Sequence, residues 1–168
     1  MKSIEIYDAV KKFRPEKVVF VIAYDNKNER ASGMVAGYST FCSSEPYMMA
    51  VALWKEGYTH NLISDTKEFV VAVPNKKLKK AVEIFGSLHG DVVDKFKKAK
   101  LQTEKADLVK VPLLSEATIN YECKLEKEVE AGDHIIFIGK IVAAHVNDDK
   151  KVLLNMGKKE GKRIFKEF

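Results

Sequence analysis

The 168-residue chain reads as a mainly β protein, an antiparallel barrel carrying short helical insertions. Three observations lead there. Runs of β-branched and aromatic residues recur between turn signals along most of the chain. Helical periodicity is confined to short stretches, so the order is not the βαβαβ alternation of a doubly wound sheet. Two long apolar-patterned segments near the C-terminus are joined only by Ala131-Gly132-Asp133, which makes them an antiparallel hairpin.

The elements follow in order. Ile4, Tyr7, Val10 and Phe13 recur every third residue, so residues 3–13 form an amphipathic helix with Ser3 at its N-cap, stopped by Pro15. Val18 to Tyr24 is a buried strand, Asp25 to Asn28 a turn, and Arg30 to Ala36 a further strand. Ser39 to Ser44 is a loop or frayed strand, and Tyr47 to Trp54 a second buried strand. Thr59 is the expected N-cap of a short helix over His60 to Ser64. Glu68 to Val73 is a strand. Asn75 caps a helix burying Leu78, Ala81, Val82 and Phe85, and Asp91 caps another burying Val92, Val93 and Phe96. Leu101 to Pro112 is irregular. Ile119 to Leu125 alternates and is half buried, and it turns back into Ile135 to Val146. The whole is a single domain, 1–168. Its barrel core spans about 17–148, and a basic tail, 149–168, docks through Ile164, Phe165 and Phe168 as a terminal strand or helix.

Composition limits the function. Hydrophobic residues make up 46% and charged residues 32%, so a globule with its own core is expected, needing neither disulfides nor metal. The longest apolar runs fall far short of the ~18 residues of a membrane span. The charge of +5 comes almost wholly from lysine, with Arg14, Arg30 and Arg163 the only arginines. Readers of DNA sequence favour the arginine fork, so nucleic acid is not the expected partner. Cys42 and Cys123 form no Cys-x-x-Cys pair and read as small core residues. The N-terminus lacks the apolar stretch of a signal peptide, so a reducing cytoplasm is the expected location.

Several reaction classes lack their motifs. The nine glycines never form Gly-x-Gly, so the dinucleotide fingerprint is missing. No Gly-x-Ser-x-Gly elbow and no Walker A loop occurs. His60, His89, His134 and His145 stand singly, which gives no metal-binding pattern. One dense segment remains, Ser32 to Asn61. Its small residues can admit a planar ligand to the backbone, or simply allow close strand packing. Thr59 at a helix start, near Lys55, can hold a phosphate, or simply cap. On the residues alone both readings stand.

The order of motifs carries a resemblance that favours the ligand reading. Ser43-Ser44-Glu45-Pro46, Tyr58-Thr59-His60 and Glu68-Phe69-Val70-Val71-Ala72-Val73 are followed by Gly86-Ser87 and Val93-Asp94-Lys95-Phe96. Gly132-Asp133-His134-Ile135-Ile136-Phe137-Ile138-Gly139 closes the series. Together they resemble the flavin reductase-like family, FMN-binding split barrels that include flavoredoxins and archaeal ferric reductases. The resemblance spans about residues 17–148. It departs at Tyr47, where the family often has a second proline, and at Trp54, where many members have Asn, Arg or Ser.

The resemblance implies a Greek-key-like split β-barrel that binds FMN without a Rossmann domain. It implies an NAD(P)H-dependent flavin or ferric reductase, passing hydride from nicotinamide to the flavin N5 and electrons on to flavin, ferric complexes or a partner protein. A flavoredoxin-like electron carrier is the alternative, and a lysine-rich nucleic-acid binder ranks below both. Ala36, Gly37, Tyr38, Ser39, Thr40 and Ser44 are expected to line ring and ribityl chain, with Ala50 to Leu53, including Ala52 and Leu53, as the wall. Trp54 covers part of the flavin or caps the barrel end. Lys55, Thr59 and Asn61 are the expected phosphate ligands. His134 stands either on the nicotinamide side or as a turn residue bonded to Asp133, and His60 orients the helix start. A homodimer is expected, with Gly86 to Phe96 reaching across. Lys95 there meets an anionic ligand or is a solvated helix end.

Overall fold

In the computed structural model, which describes residues 1–148 and 151–168, helix α1 (Ile6–Lys12) leads into β1 (Glu16–Lys17), β2 (Val19–Asp25), β3 (Arg30–Ala36), β4 (Ser39–Ser44) and β5 (Tyr47–Trp54). Helix α2 (Tyr58–Thr66) precedes β6 (Glu68–Val73). A 3-10 turn at Lys76–Leu78 opens α3 (Lys79–Phe85), and α4 (Lys95–Ala99) follows. The chain then forms β7 (Thr103–Glu104), β8 (Leu113–Leu114), β9 (Ile119–Ala131), β10 (His134–Val146), β11 (Leu153–Lys159) and β12 (Lys162–Glu167).

Seven strands form one antiparallel sheet in the order β3-β2-β6-β9-β10-β5-β4. Its central strands are buried on both faces, as their unbroken apolar runs require. Phe20, Ile22, Val70 and Ala72 face outward, under Leu78, Val82 and Phe85 of the helical segment and under Val111 and Leu114. Val19, Val21, Phe69 and Val71 face inward, against Met49, Val51, Leu53 and Phe137 from the other half of the sheet, with Ile63 of α2. The period of two in each strand thus feeds two cores. The mainly β split barrel with short helices agrees with the fold read from sequence. Among the described residues, no helix is long and apolar enough to cross a membrane.

Several local expectations are corrected. α1 starts at Ile6, not at Ser3, and its apolar stripe is exposed, with Phe13 84% accessible. Ser39 to Ser44 is an ordered strand, because β5 supplies its hydrogen bonds. β5 itself is buried only at alternate residues. Gly57, not Thr59, caps α2, and Thr59 lies buried in its first turn. Asp94, not Asp91, caps α4 by accepting from the Lys97 amide at 2.9 Å, which leaves Val92 in solvent at 79% exposure. Cys42 is exposed, whereas Cys123 is a core residue whose thiol burial pushes up to about 12. Of the expected tail, residues 149 and 150 lie outside the described residues. The rest is a hairpin whose strand β11 pairs with β1 and buries Leu153 in the outward core.

The loop before β8 is tied down by a charge. Glu122, fully buried on β9, accepts from the amides of Asp107, Leu108 and Val109 at 2.7 to 3.1 Å, and contacts His145 Nε2 at 2.6 Å. Burial raises its pKa, but the hydrogen bonds from Asp107, Leu108 and His145 outweigh that and hold it below the ordinary value. Its stabilisation is therefore present above the unfolded pKa and lost as pH falls through the lower folded one. Glu122→Gln should cost about 1.5–3 kcal/mol in urea unfolding at neutral pH. It should also flatten the acid limb of the stability profile below ~pH 4.5. An unchanged midpoint would show that the loop does not depend on this carboxylate.

Candidate flavin cleft

β10 pairs with β5 so that His134 lies opposite Trp54 and Ile136 opposite Ala52. Alternation then points Val51 and Leu53 into the barrel and turns Ala52 and Trp54 outward. The chain leaving β3 crosses this outer surface, held by the Ala52 amide donating to the Tyr38 carbonyl at 2.9 Å. Ala36, Gly37, Tyr38, Ala52, Trp54 and His134 accordingly share one hollow. Its floor is small and its rim aromatic. The His134 and Tyr38 rings lie 5.6 Å apart. His134 Nδ1 sits 2.7 Å from Asp133, and that hydrogen bond lowers the Asp133 pKa. His134 is thus both bonded at the turn and part of the cleft lining.

Past Met34, Val35 and Trp54 the hollow continues into a second lobe, lined by Gly57, Thr59, Gly86, Ser87 and Lys95 among others. The first turn of α2 opens here, capped by no side chain. Tyr58 fixes that turn by donating to Asp25, a buried carboxylate that also accepts from the Lys27 and Asn28 amides. Burial raises the Asp25 pKa, and the bonds from Tyr58 and Asn28 more than offset it, so the net shift is downward.

Lys95 is unlike these carboxylates. It is 5% exposed, and its Nζ donates to the Phe85 and Leu88 carbonyls at 3.3 and 3.1 Å. No carboxylate lies within ion-pair distance of it among the described residues. Burial lowers its pKa to about 8, against a weaker opposing pull from Asp91. It is a buried cation in the lining of a cleft, not a solvated helix end.

Other residues expected at the site lie elsewhere. Leu53 is fully buried in the inner core, because it alternates with Ala52 and Trp54. Lys55 lines another hollow, with Glu56, His60, Glu128 and Glu130, and its amide donates to the Asp133 carbonyl at 3.2 Å. Asn61 is exposed and bonded to His60 Nδ1 at 3.0 Å. Ser39 and Thr40 face an apolar hollow with Phe41, Met49 and Tyr121, and Ser44 ends β4 away from the cleft. The structure adds Met34, Val35, Arg14 and Glu16 to the lining, along with Arg163 from the tail. Arg163 carried no sequence signal, because only the fold brings the tail here.

The model of the flavin reductase like domain matches residues 13–161, and the chain belongs to that family. An uncharacterized protein of Archaeoglobus fulgidus is 40% identical over 68% of this chain, an alignment that spans 64% of its own length. A ferric-chelate reductase (NAD(P)H) of the same organism is 32% identical over 79% of this chain and 78% of its own. Among solved structures, the NADH:FAD oxidoreductase of Streptomyces globisporus C-1027 superposes with a TM-score of 0.83. It is 24% identical and covers 100% of this chain and 98% of its own. That likeness concerns the fold.

A buried ammonium without a counter-ion opposes folding. In the window between about 8 and the unfolded lysine value, the unfolded chain holds the extra proton, so this group's penalty relaxes as pH rises. Lys95→Met should therefore stabilise the ligand-free protein by roughly 1–3 kcal/mol at pH 7 and remove that alkaline gain. Thermal unfolding across pH 7–10 measures both, and a destabilised variant would show that the lysine is needed for packing.

Proposed function

We propose that this chain binds FMN in the two-lobed cleft and acts as an NAD(P)H-dependent flavin or ferric reductase. The observation that carries the reading is Lys95, a buried cation lacking a carboxylate partner and facing the same cleft as the uncapped start of α2. A phosphate dianion supplies what both lack. Thr59, 3% exposed, adds a hydroxyl to that lobe. At the other end Ala36, Gly37 and Ala52 let a flat ring reach the backbone. A β-carbon at Gly37 would already press on the Glu16 carboxylate at 3.3 Å. One compact phosphate lobe, with no second adenine-binding motif, favours FMN over FAD.

A flavin held there would supply the hydride-acceptor and electron-transfer chemistry that links a reduced nicotinamide to flavin, ferric complexes or a partner protein. The chain's own residues do the positioning. Trp54 sits where the two lobes meet. His134, oriented by Asp133, borders the floor and is placed to align the nicotinamide. The ferric-chelate reductase relative supports the ferric acceptor. The unpaired cysteines support a reducing, cytoplasmic setting.

Cofactor released by heat should chromatograph as FMN. Thr59→Ala should weaken FMN binding by about 1.5–3 kcal/mol. Affinity should fall as pH rises past about 8, where free Lys95 loses its proton. His134→Ala should slow anaerobic reduction by NAD(P)H more than it weakens FMN binding. Release of FAD, or no flavin uptake, would overturn the cofactor assignment. Reduction of the His134 variant at the parental rate would overturn that residue's role.

A homodimer belongs to the same proposal. Ala50, Ala52, Ile136, Ile138 and Val129 lie on one outward face of β5, β10 and β9, half buried or exposed. An apolar sheet face left to water is a natural site for a second copy. Sedimentation equilibrium should give about twice 19.0 kDa. A monomer at micromolar concentration would refute it.

A further inference from the structure

Beside the flavin cleft lies a third cavity, about 590 Å³, between α1 and the C-terminal hairpin. It shares Arg14 and Glu16 with one lobe of the cleft and Arg163 with the other. Two of the chain's three arginines therefore face one cavity. Its lining carries four cations, Lys11, Arg14, Lys158 and Arg163, and a single carboxylate, Glu16. Lys11 is held by Asp8 at 3.2 Å. Arg14 is held by Glu16, whose other oxygen accepts from Asn155 Nδ2 at 2.6 Å. That leaves no acid for Lys158 and Arg163, neither of which makes an ion pair among the described residues.

Lys158 and Arg163 are also direct cross-strand partners in the β11–β12 hairpin. Like charges placed opposite one another destabilise a strand pair. The next pair toward the turn, Lys159 and Lys162, repeats the pattern on the opposite face, outside the cavity. Both side chains are exposed, and the Arg163 guanidinium reaches back toward Gly86 in the cleft, so it stands between cleft and cavity. An anion lying between Lys158 and Arg163 would offset their repulsion. An arginine fork grips a phosphate bidentately, and the lysine adds a point charge.

Resting on the reductase reading above, we infer that this cavity binds a phosphate group of the nicotinamide dinucleotide while its nicotinamide end lies over the floor beside His134. A compact ferric chelate needs only the floor. A dinucleotide is long enough to run from the floor past Arg14 into the cavity, and its charge is carried away from the reacting ring. The phosphate is either the pyrophosphate bridge or the 2′-phosphate of NADPH.

The test is calorimetric titration of the FMN-loaded protein with NADP⁺ and with NAD⁺, which bind without turnover. Arg163→Gln and Lys158→Ala should each weaken binding about tenfold or more. Lys162→Ala, on the other face, should leave it unchanged. A loss confined to NADP⁺ assigns the 2′-phosphate, and an equal loss for both nucleotides assigns the pyrophosphate; either supports the inference. Full affinity for both nucleotides in the two cavity variants would overturn it. So would loss of FMN from those variants, which would give Arg163 and Lys158 to the flavin phosphate. Failure of the unaltered loaded protein to bind either nucleotide would overturn the reductase reading and this inference together.

Discussion

β10 pairs on one edge with β9 through the long hairpin and on the other with β5, which lies far away in sequence. The second pairing curls the seven-stranded sheet over its inner core and sets Val51, Leu53 and Phe137 against Val21 and Phe69. It also decides which side chains line the cleft. A slip of one residue would carry Trp54 and Ala52 into the core and turn Leu53 out to solvent. Gly139 guards this register, because a methyl group there would overlap the Phe69 ring and crowd the Cβ of Cys123 at 3.1 Å. The last glycine of the Gly-Asp-His-x-x-Phe-x-Gly stretch thus has a packing reason that involves no ligand.

Three buried charges separate structure from function. Asp25 and Glu122 are each surrounded by donors, and their pKa values move toward the charged form despite burial. They tie α2 to the β2–β3 turn and the 106–111 loop to β9. Lys95 moves the other way, because two carbonyls do not replace the water it has lost. A charge that serves only the fold is expected to be satisfied within the fold. One left short of partners at a cavity wall is the group on which the proposed phosphate site rests.

The strands were legible where local pattern and tertiary burial agree. The runs at 18–24 and 68–73 match the strands to within a residue, and the hairpin turn at Gly132 was found, although β9 runs on to Ala131, six residues past the strand read from alternation. Gly132 takes φ +64°, which a two-residue turn there requires. Helix starts were less legible. Asp91 and Asp94 are equally good caps in sequence, and only packing against α3 selects the second. Of the residues expected to hold phosphate, Thr59 and Lys55 are four apart, yet they line different hollows. Lys95 was reached through the Val93-Asp94-Lys95-Phe96 stretch, but its burial comes from α4 packing against α3. Arg14, Glu16 and Arg163 lie in none of those motifs, and only the fold brings them to the cleft.

Besides Arg163 and the β1–β11 pairing, one carboxylate joins the tail to the cleft. β1 is only two residues long, and its Glu16 pairs with Asn155 of β11. The Glu16 carboxylate accepts from Asn155 Nδ2 and from Arg14, and it lies beside Gly37 on the cleft floor. Asn155 in turn accepts from the Gly157 amide through its Oδ1 at 3.0 Å, closing the irregular step in the hairpin between Asn155 and Gly157. This step sits one residue before Lys158. A single carboxylate thus holds the floor of the cleft, the arginine at its rim and the base of the basic hairpin in one hydrogen-bonded unit. The spacing between cleft and basic cavity is set by that unit, and neither is built from a loop free to move alone.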